Sequence, residues 1–500
     1  MIIDCFAGGG GASVGIEMAL GRAVDIAINH DPSAILMHKT NHPDTLHLTE
    51  DIFAVDLRKY IKGERVELMW ASPDCTSHSK AKGGKPRESG LRMLPWAVYK
   101  HAKSILPDVI IMENVEEIKQ WGPLDSLGHP IKERKGEEYR KFILAMRSLG
   151  YDFDSRELVA ADYGAPTTRK RWYAVFGRDG RPIVWPKQTH DKDGTNGLKK
   201  WMGIHTVLDF SNFGRSIFGR KKPLADNTMK RIARGLRKFV FENPEPFIVQ
   251  VNHGGDYFRG QDIHEPILTI TQKHGFGIVE PFLLQYHSET GGEVRGQTVK
   301  EPVRTIDTSN RYANVMAFLT KFYKSGTGQE LSMPIHTITT SPGHFGQVSV
   351  FAVKLEELLK AGVSDETARK CTWVSEFIIE YYGCGTGQAA DSPIHTVVTK
   401  DRFALVTVMG DEYVILDIFL RMLTPEELKL GQGFPKDYII DRDYRWRPYP
   451  KSEQVKRIGN SVVPAMAKAL VETNCPNLKT GERVPCIGVD YAGEQLPMIV

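Results

Sequence analysis

The sequence predicts an α/β protein: a doubly wound, mixed sheet, interrupted by a β-rich insertion before the chain returns to α/β character. Three observations predict it. Short, almost wholly apolar runs at residues 2–6, 24–28, 67–70 and 109–112 each break into a polar or glycine-rich loop, as strands buried on both faces do. Helical stretches lie between them, as parallel strands require. From about Arg181 the texture shifts to Gly, Pro, His, Thr and aromatic residues in period-two alternation, which reads as hairpins.

The chain has 500 residues, too many for one ordinary core, so two or three domains are expected. The expected bounds are 1–185 for the α/β domain, 186–415 for the β-rich region, 416–475 for a return segment and 476–500 for a tail. With 25% charged residues and 41% apolar ones, a soluble globular protein follows. No apolar run approaches the roughly 18 residues of a membrane span. The opening MIIDCFAGGG carries no basic leader, so secretion is not expected. The six cysteines are scattered without a C-x-x-C pair, which argues against zinc or a disulfide framework and fits a reducing cytoplasm. A net charge of +4 permits a polyanionic partner without requiring one.

The first strand, Ile2 to Phe6, runs into Ala7 and four glycines, Gly8 to Gly11, and then a helix from about Ala12 to Leu20. Such a turn lets a ligand approach the backbone, and the helix start offers free N–H groups. It also simply tightens a strand-to-helix corner. The spacing is not G-x-G-x-x-G and no Lys-Ser/Thr follows, so dinucleotide and P-loop readings lose ground. The second strand, Val24 to Ile28, ends in Asn29, His30 and Asp31, where a ribose would be gripped. Thr49 to Ile52 and then the strand Glu67 to Trp70 follow, the latter opening into ASPDCTSHSKAKGGKP, residues 71–86. Cys75 in that loop is either a small core residue or a nucleophile at the carboxyl end of a sheet strand.

A fifth strand, Val109 to Met112, stops at Glu113, Asn114 and Val115. On spacing Glu113 suits an N-cap for the next helix; the alternative is a carboxylate kept in a desolvated site. Tyr139 to Leu149 reads as a helix. Arg169 and Arg171 then lead into a strand, Trp172 to Gly177, and alternate positions share a face. Two guanidiniums there suit an anionic or carbonyl-rich ligand, or a solvated strand edge.

The β-rich region repeats internally. Residues 247–251 (FIVQV) recur as 282–286, 318–322 and 377–381, each followed by a Gly-containing turn, a glutamine (Gln261, Gln297, Gln329, Gln388) and a proline-led strand from Pro266, Pro302, Pro334 or Pro393. These read as four hairpin units stacked in series over about 247–408, with an inserted helix from Lys354 to Arg369. Hairpin turns of this composition reach into a nucleic-acid groove or serve as scaffold. Basic segments at 215–222 and 230–238 suit phosphate contacts. The return segment opens a helix across Phe419 to Leu428, with Thr424 as N-cap and Pro425 at its first position. Residues 457–464 then lead into a last helix to about Val471, placed to cover the first strand.

In this order the motifs resemble the DNA (cytosine-5) methyltransferase family of bacterial or phage type, nearly end to end. The carrying residues are Asp4, Phe6, Ala7, Gly8, Gly10 and Gly11; Cys75 in the nucleophile loop; Glu113-Asn114-Val115; Arg169-x-Arg171; and Gly459-Asn460-Ser461-Val462-x-Pro464. The resemblance implies a Rossmann-like, S-adenosylmethionine-dependent methyltransferase fold, with the β-rich repeats as target-recognition domain. It implies catalysis by Cys75, Glu113, Arg169 and Arg171. Cofactor contacts are implied from the first-motif residues, with Phe6 on the adenine and Asp51 and Ile52 at its edge, and from Asn29, His30, Pro73, Asn460 and Ser461. The implied partner is double-stranded DNA, the protein a monomer, and the setting a restriction-modification system or phage. Three positions depart from the family pattern. Asp74 stands where a second proline precedes the cysteine, Thr167 where a glutamine is usual, and Asn29 where an acid is expected. A carboxylate at Asp74 disfavours a neighbouring thiolate unless a cation offsets it. A catalytically silent DNA-binding homologue and an RNA cytosine-5 methyltransferase are the alternatives.

Overall fold

The computed structural model describes residues 1–74, 89–209, 215–224 and 423–481, together with the strands between 247 and 354 and between 405 and 422, most of them by their backbone. Cys75 and the loop lysines Lys80, Lys82 and Lys85 lie outside the described residues. The chain divides into two compact units, Met1–Lys200 with Gln432–Val500, and Trp201–Gly431.

The first unit is built on a seven-stranded sheet. Its strands are β1 (Ile2–Cys5), β2 (Ile26–Ile28), β3 (Leu46–Leu48), β4 (Leu68–Ala71), β5 (Val109–Asn114), β6 (Tyr151–Val159) and β7 (Lys170–Arg178). The order across the sheet is β3-β2-β1-β4-β5-β7-β6. β1 to β5 run parallel, and β7 runs antiparallel to both of its neighbours. The helices are α1 (Gly11–Leu20), α2 (Pro32–Asn41), α3 (Leu94–Ile105), α4 (Glu137–Ser148), α5 (Lys451–Asn460) and α6 (Pro464–Asn474). This is the α/β sheet that the apolar runs predict, in the doubly wound, mixed form that the family resemblance implies.

Because successive residues face opposite sides, the sheet has two cores. Ile3, Cys5, Met69, Ile110, Met112 and Phe176 pack with Ala97, Val98 and Phe142 of α3 and α4. Ile2, Ala27, Leu68, Trp70, Ile111 and Tyr173 pack with Ile16 of α1 and Met466, Leu470 and Val471 of α6. The last helix thus covers the first strand, as the return segment suggests. Gly15 allows this: a Cβ there would lie 2.4 Å from the Pro464 carbonyl and 2.5 Å from the Ala467 side chain. The close approach therefore selects glycine inside a helix, where it normally costs about 1 kcal/mol.

Two elements differ from their sequence expectation. β5 continues through Asn114, so Glu113 lies inside the strand; the N-cap of the following 3-10 turn, Glu116–Gln120, is Val115. Phe419–Met422 belongs to a long strand, Asp411–Met422, and the helix begins only at Pro425. Thr424 and Glu427 make that start a capping box, since Thr424 N–H donates to Glu427 (2.7 Å) and Glu427 N–H to the Thr424 hydroxyl (3.2 Å).

The second unit contains a ten-stranded sheet among its described residues. In the first two sequence repeats the leading strand pairs antiparallel with the strand carrying its glutamine: Phe247–Gln250 with Gly260–Asp262, and Phe282–Gln285 with Arg295–Thr298. In the third, Phe318 lies within Tyr312–Lys321, which pairs with Phe345–Lys354. The described proline-led strands, those of the first and third repeats, lie outside this sheet, and the one after Pro302 lies outside the described residues. Ile270–Lys273 and Thr337–Ser341 pair parallel with one another. The fourth repeat (377–397), the third proline-to-glutamine segment around Gln329, and the helix expected after Lys354 lie outside the described residues.

Candidate functional site

At the carboxyl edge of β1, Phe6 takes a left-handed backbone (φ 66°) and Ala7 N–H donates to the Ile28 carbonyl at 2.9 Å. The turn is thereby tied to the end of β2, and Asn29 Nδ2 adds a bond to the Ala7 carbonyl at 3.3 Å. Gly10, at φ 81°, caps α1 with no side-chain hydrogen bond to the first N–H groups. The glycines divide into two kinds. A Cβ on Gly10 would lie 2.0 Å from the Tyr438 hydroxyl, and one on Gly11 2.0 Å from the Val462 carbonyl, whereas Gly8 meets nothing nearer than 4.0 Å. Gly10 and Gly11 lock the turn against the C-terminal segment, Gly8 faces open space, and Phe6 is half-buried against the sheet core.

Around this turn, His30 is exposed and Asn29 half-buried. Asp31 caps α2, accepting from Ser33 N–H at 2.9 Å, and pairs with Arg457 at 2.7 Å. Partial burial pushes the Asp31 carboxyl up, but the Arg457 guanidinium and two backbone N–H groups outweigh it and leave it below the usual range. Asp51 is exposed and accepts from Phe53 N–H at 2.7 Å; Ile52 is buried. Asn460 is exposed, while buried Ser461 donates to the Arg457 carbonyl at 2.7 Å. A Cβ on Gly9 would meet the Ser461 hydroxyl at 2.5 Å.

A second cluster lies at the ends of β4, β5 and β7. Asn114 Nδ2 donates to the carbonyl of buried Pro73 at 3.0 Å, which fixes the exit of β4 two residues before Cys75. In the antiparallel register Glu113 sits opposite Tyr173, so Arg171 is its diagonal neighbour on the same face. The Arg171 Nε lies 3.2 Å from Glu113 Oε1, and both side chains are about nine-tenths buried. Neither of these two atoms makes a hydrogen bond among the described residues. Arg169 joins the same charged group, since Glu113, Arg169 and Arg171 all act on the buried Tyr173 phenol, which burial pushes up first of all. One Arg169 donor goes to the Gly459 carbonyl at 3.0 Å, in the last turn of α5, where a cation is favoured. Arg171 thus faces Glu113 of β5 while Arg169 reaches α5, and α5, through Arg457 and Asp31, touches both clusters.

Several residues of this site carried no sequence signal on their own. Tyr438 donates to the Gly9 carbonyl at 2.9 Å across 429 residues, and Gln432 to the Ser461 carbonyl at 3.1 Å. Under the glycine turn lies a buried polar group made by Ser13 and Glu17 of α1 with His38 of α2 and His42 at its C-cap. Each pair has i, i+4 spacing, which puts it on one helix face, and that spacing was the available signal. Asp4 is wholly buried; burial pushes its carboxyl up to about 7, against the lowering effects of the Ser13 hydroxyl and His42. Among the described residues no cluster of His, Cys, Asp or Glu has a metal-holding arrangement, and no helix is long and apolar enough to cross a membrane.

A family model described as C-5 cytosine-specific DNA methylase matches residues 1–209 and 354–474. Curated relatives include the type II methyltransferase M.AquIA of Picosynechococcus, 27% identical over 194 residues, covering 38% of this chain and 76% of that one. The type II methyltransferase M.DdeI of Desulfomicrobium norvegicum is 30% identical over 185 residues, covering 36% of this chain and 41% of that one. Across the first relatives the chain spans from about two fifths to three quarters of their length. Among solved structures, the S. pombe Dnmt2 methyltransferase aligns at 14% identity and a TM-score of 0.45, over 96% of this chain and 99% of that one.

Proposed function

Because the chain belongs to the C-5 cytosine-specific DNA methylase family, we propose that it methylates C5 of a cytosine flipped out of a specific duplex DNA sequence, using S-adenosylmethionine and a transient covalent bond from Cys75. The observation that carries this reading is the Glu113–Arg171 pair, buried at the end of β5 with hydrogen-bonding atoms unspent on both partners. A desolvated carboxylate and guanidinium with spare capacity suit an amide-like ring edge. The clip from Asn114 to Pro73 holds the start of the Cys75 loop at the same sheet edge.

The chemistry assigns the roles. Cytosine C5 is too weak a nucleophile to take a methyl group directly. The Cys75 thiolate adds to C6, which turns the ring into an enamine nucleophilic at C5. Glu113 holds N3 as charge develops there, and Arg171 with Arg169 holds the O2 side. Their positive charge also favours the thiolate and offsets the neighbouring Asp74. Loss of the C5 proton and of the thiol then restores the aromatic ring. A stacked base cannot offer C6 to a side chain, so the target leaves the duplex.

The glycine turn fits the cofactor, with its open Gly8, half-buried Phe6, uncapped α1 N–H groups and polar β2 end. When bound there, S-adenosylmethionine supplies an electrophilic methyl group. Phe6 would lie against its adenine and Asn29 and His30 at its ribose, with Asp51 and Ile52 at the adenine edge and Asn460 and Ser461 closing the turn. The protein would act as a monomer in a bacterial or phage-infected cytoplasm, and the second unit would read the target sequence.

Trapping on a duplex carrying 5-fluorocytosine tests this reading. With S-adenosylmethionine present, the wild type is expected to give a denaturant-resistant protein–DNA adduct, and Cys75→Ser none. Absence of an adduct in the wild type on DNA would favour a silent homologue, and an adduct on RNA alone would move the substrate class.

A further inference from the structure

Beneath the glycine turn, a line of hydrogen bonds runs from the middle of the sheet to the surface. Asp4 Oδ2 accepts from the Ser13 hydroxyl at 2.7 Å. The Ser13 oxygen lies 2.9 Å from His38 Nε2, and His38 Nδ1 lies 2.8 Å from His47 Nε2. Asp4, Ser13 and His38 are fully buried, whereas His47 is half-buried. A purely structural network satisfies its ends. Here the inner end is open, since Asp4 Oδ1 is buried with no hydrogen-bond partner among the described residues. Asp4 also lies in β1, two residues before the half-exposed Phe6 of the turn.

Every bond in this line can be made in either direction. With Asp4 ionised, Ser13 donates to Asp4, His38 Nε2–H to Ser13, and His47 Nε2–H to His38. With Asp4 protonated, each donor becomes an acceptor and both imidazoles take the other neutral tautomer. Switching from the protonated to the ionised state moves one proton out along the whole line and leaves a charge only on the Asp4 carboxylate, none on Ser13, His38 or His47.

Resting on the reading of the turn as an S-adenosylmethionine site, we propose that Asp4, Ser13, His38 and His47 form a proton path that couples arrival of the cofactor's sulfonium charge to release of the Asp4 proton. The Asp4 O–H bond breaks toward Ser13, the Ser13 proton passes to His38 Nε2, the His38 Nδ1 proton passes to His47 Nε2, and His47 gives its Nδ1 proton to water. One positive charge enters the site and one leaves, so the buried carboxylate meets the sulfonium as a counter-charge. The surrounding groups keep the two imidazoles of the line neutral. Burial, then the neighbouring His42 and His47, holds His38 well below its ordinary range. Burial, His42 and Lys39 hold His47 down at about 3, against a bond that the Thr45 backbone carbonyl accepts from it. The other groups facing the line are Glu17, bonded to His42 at 2.7 Å, Tyr438, 5.9 Å from the His42 ring, and Cys5, whose thiol is pushed up by burial and by Asp4. With the Asp4 carboxyl pushed up to about 7, it holds an exchangeable proton near neutral pH.

Calorimetry of the full chain at pH 7, in phosphate and in Tris, reads the protons released on binding. S-adenosylmethionine is expected to release roughly half a proton, rising toward one at pH 6. S-adenosylhomocysteine, the neutral thioether, is expected to release none. Asp4→Asn should abolish the difference. In Ser13→Ala, stopped-flow release to a pH dye should lag behind binding, which a merely structural serine would not cause. Equal proton release for the two ligands in the wild type, or unchanged release in Asp4→Asn, overturns the proposal while leaving the cofactor reading intact. Failure of both ligands to bind overturns both.

Discussion

Glu113 and Arg171 each make the other tolerable. Removing one partner of a buried ion pair leaves an uncompensated charge and costs about 3–5 kcal/mol, whereas replacing both is far milder. Arg171→Met is therefore expected to lower the urea midpoint strongly, and the double variant with Glu113→Gln should recover much of that loss. Both should lose methyl transfer, so stability and activity separate in the double variant. Asp4 makes a second prediction at this scale. Its folded-state carboxyl titrates at about 7 rather than 3.8, so the protonated form is the one folding favours. The stability it contributes is complete below about pH 4 and drains as pH rises to about 7. The wild type minus Asp4→Asn difference in unfolding free energy should fall across that window and flatten above it. His38 changes oppositely, since its lowered pKa means stability is lost as pH falls below about 6.5, but it is common to both proteins and cancels in the difference. Asp4 stood out in the sequence through the family resemblance of the first motif; its partners did not. Ser13, His38 and His47 are ordinary polar residues until two helices and a strand converge on them.

At the scale of elements, the strands were legible because a sheet covered on both faces writes itself as apolar runs. The end of β5 was not. Glu113 and Asn114 break the apolar pattern yet stay in the ladder, because β7 supplies an antiparallel partner at Tyr173 and Trp172 that no local rule announces. The strand before Pro425 was missed for a related reason, since Phe419 to Met422 carries residues suited to either state and a neighbouring strand decides it. The cap itself was readable. Thr424→Ala should cost about 1 kcal/mol, measured by denaturant unfolding of the full chain. Gly10→Ala is expected to be far worse, because a left-handed φ of 81° and a Tyr438 hydroxyl 2.0 Å from the new Cβ act together. Calorimetry should then show cofactor affinity falling more than tenfold, with Gly8→Ala milder in stability.

For the whole molecule, the first unit is assembled from two stretches separated by the second unit. The C-terminal stretch supplies Val462, Met466, Leu470 and Val471 to one of the two sheet cores, and supplies Tyr438, Arg457 and Ser461 to the site. A chain ending at residue 431 should therefore expose the α1 face of the sheet. It is expected to bind a hydrophobic dye, to be cut rapidly by trypsin within 1–200, and to bind no S-adenosylmethionine. The discontinuity was legible as a return to α/β texture after the repeats. That its last helix covers the first strand was legible too, but the contact of Tyr438 with the glycine turn was not, because it joins residues hundreds of positions apart.

The packing of Gly15 against Ala467 also places a clock on the birth of this protein. The helix holding Gly15 is made well before its partner, because the whole second unit lies between them in the chain. Synthesis at about 5–20 residues per second puts the interval at roughly 20–90 s. Throughout it, Ile2, Ala27, Trp70 and Ile111 line a face whose final cover does not yet exist. The nascent chain thus carries an unfinished apolar surface far longer than a small domain does. Slowing translation late in the message should raise its aggregation more than slowing it early.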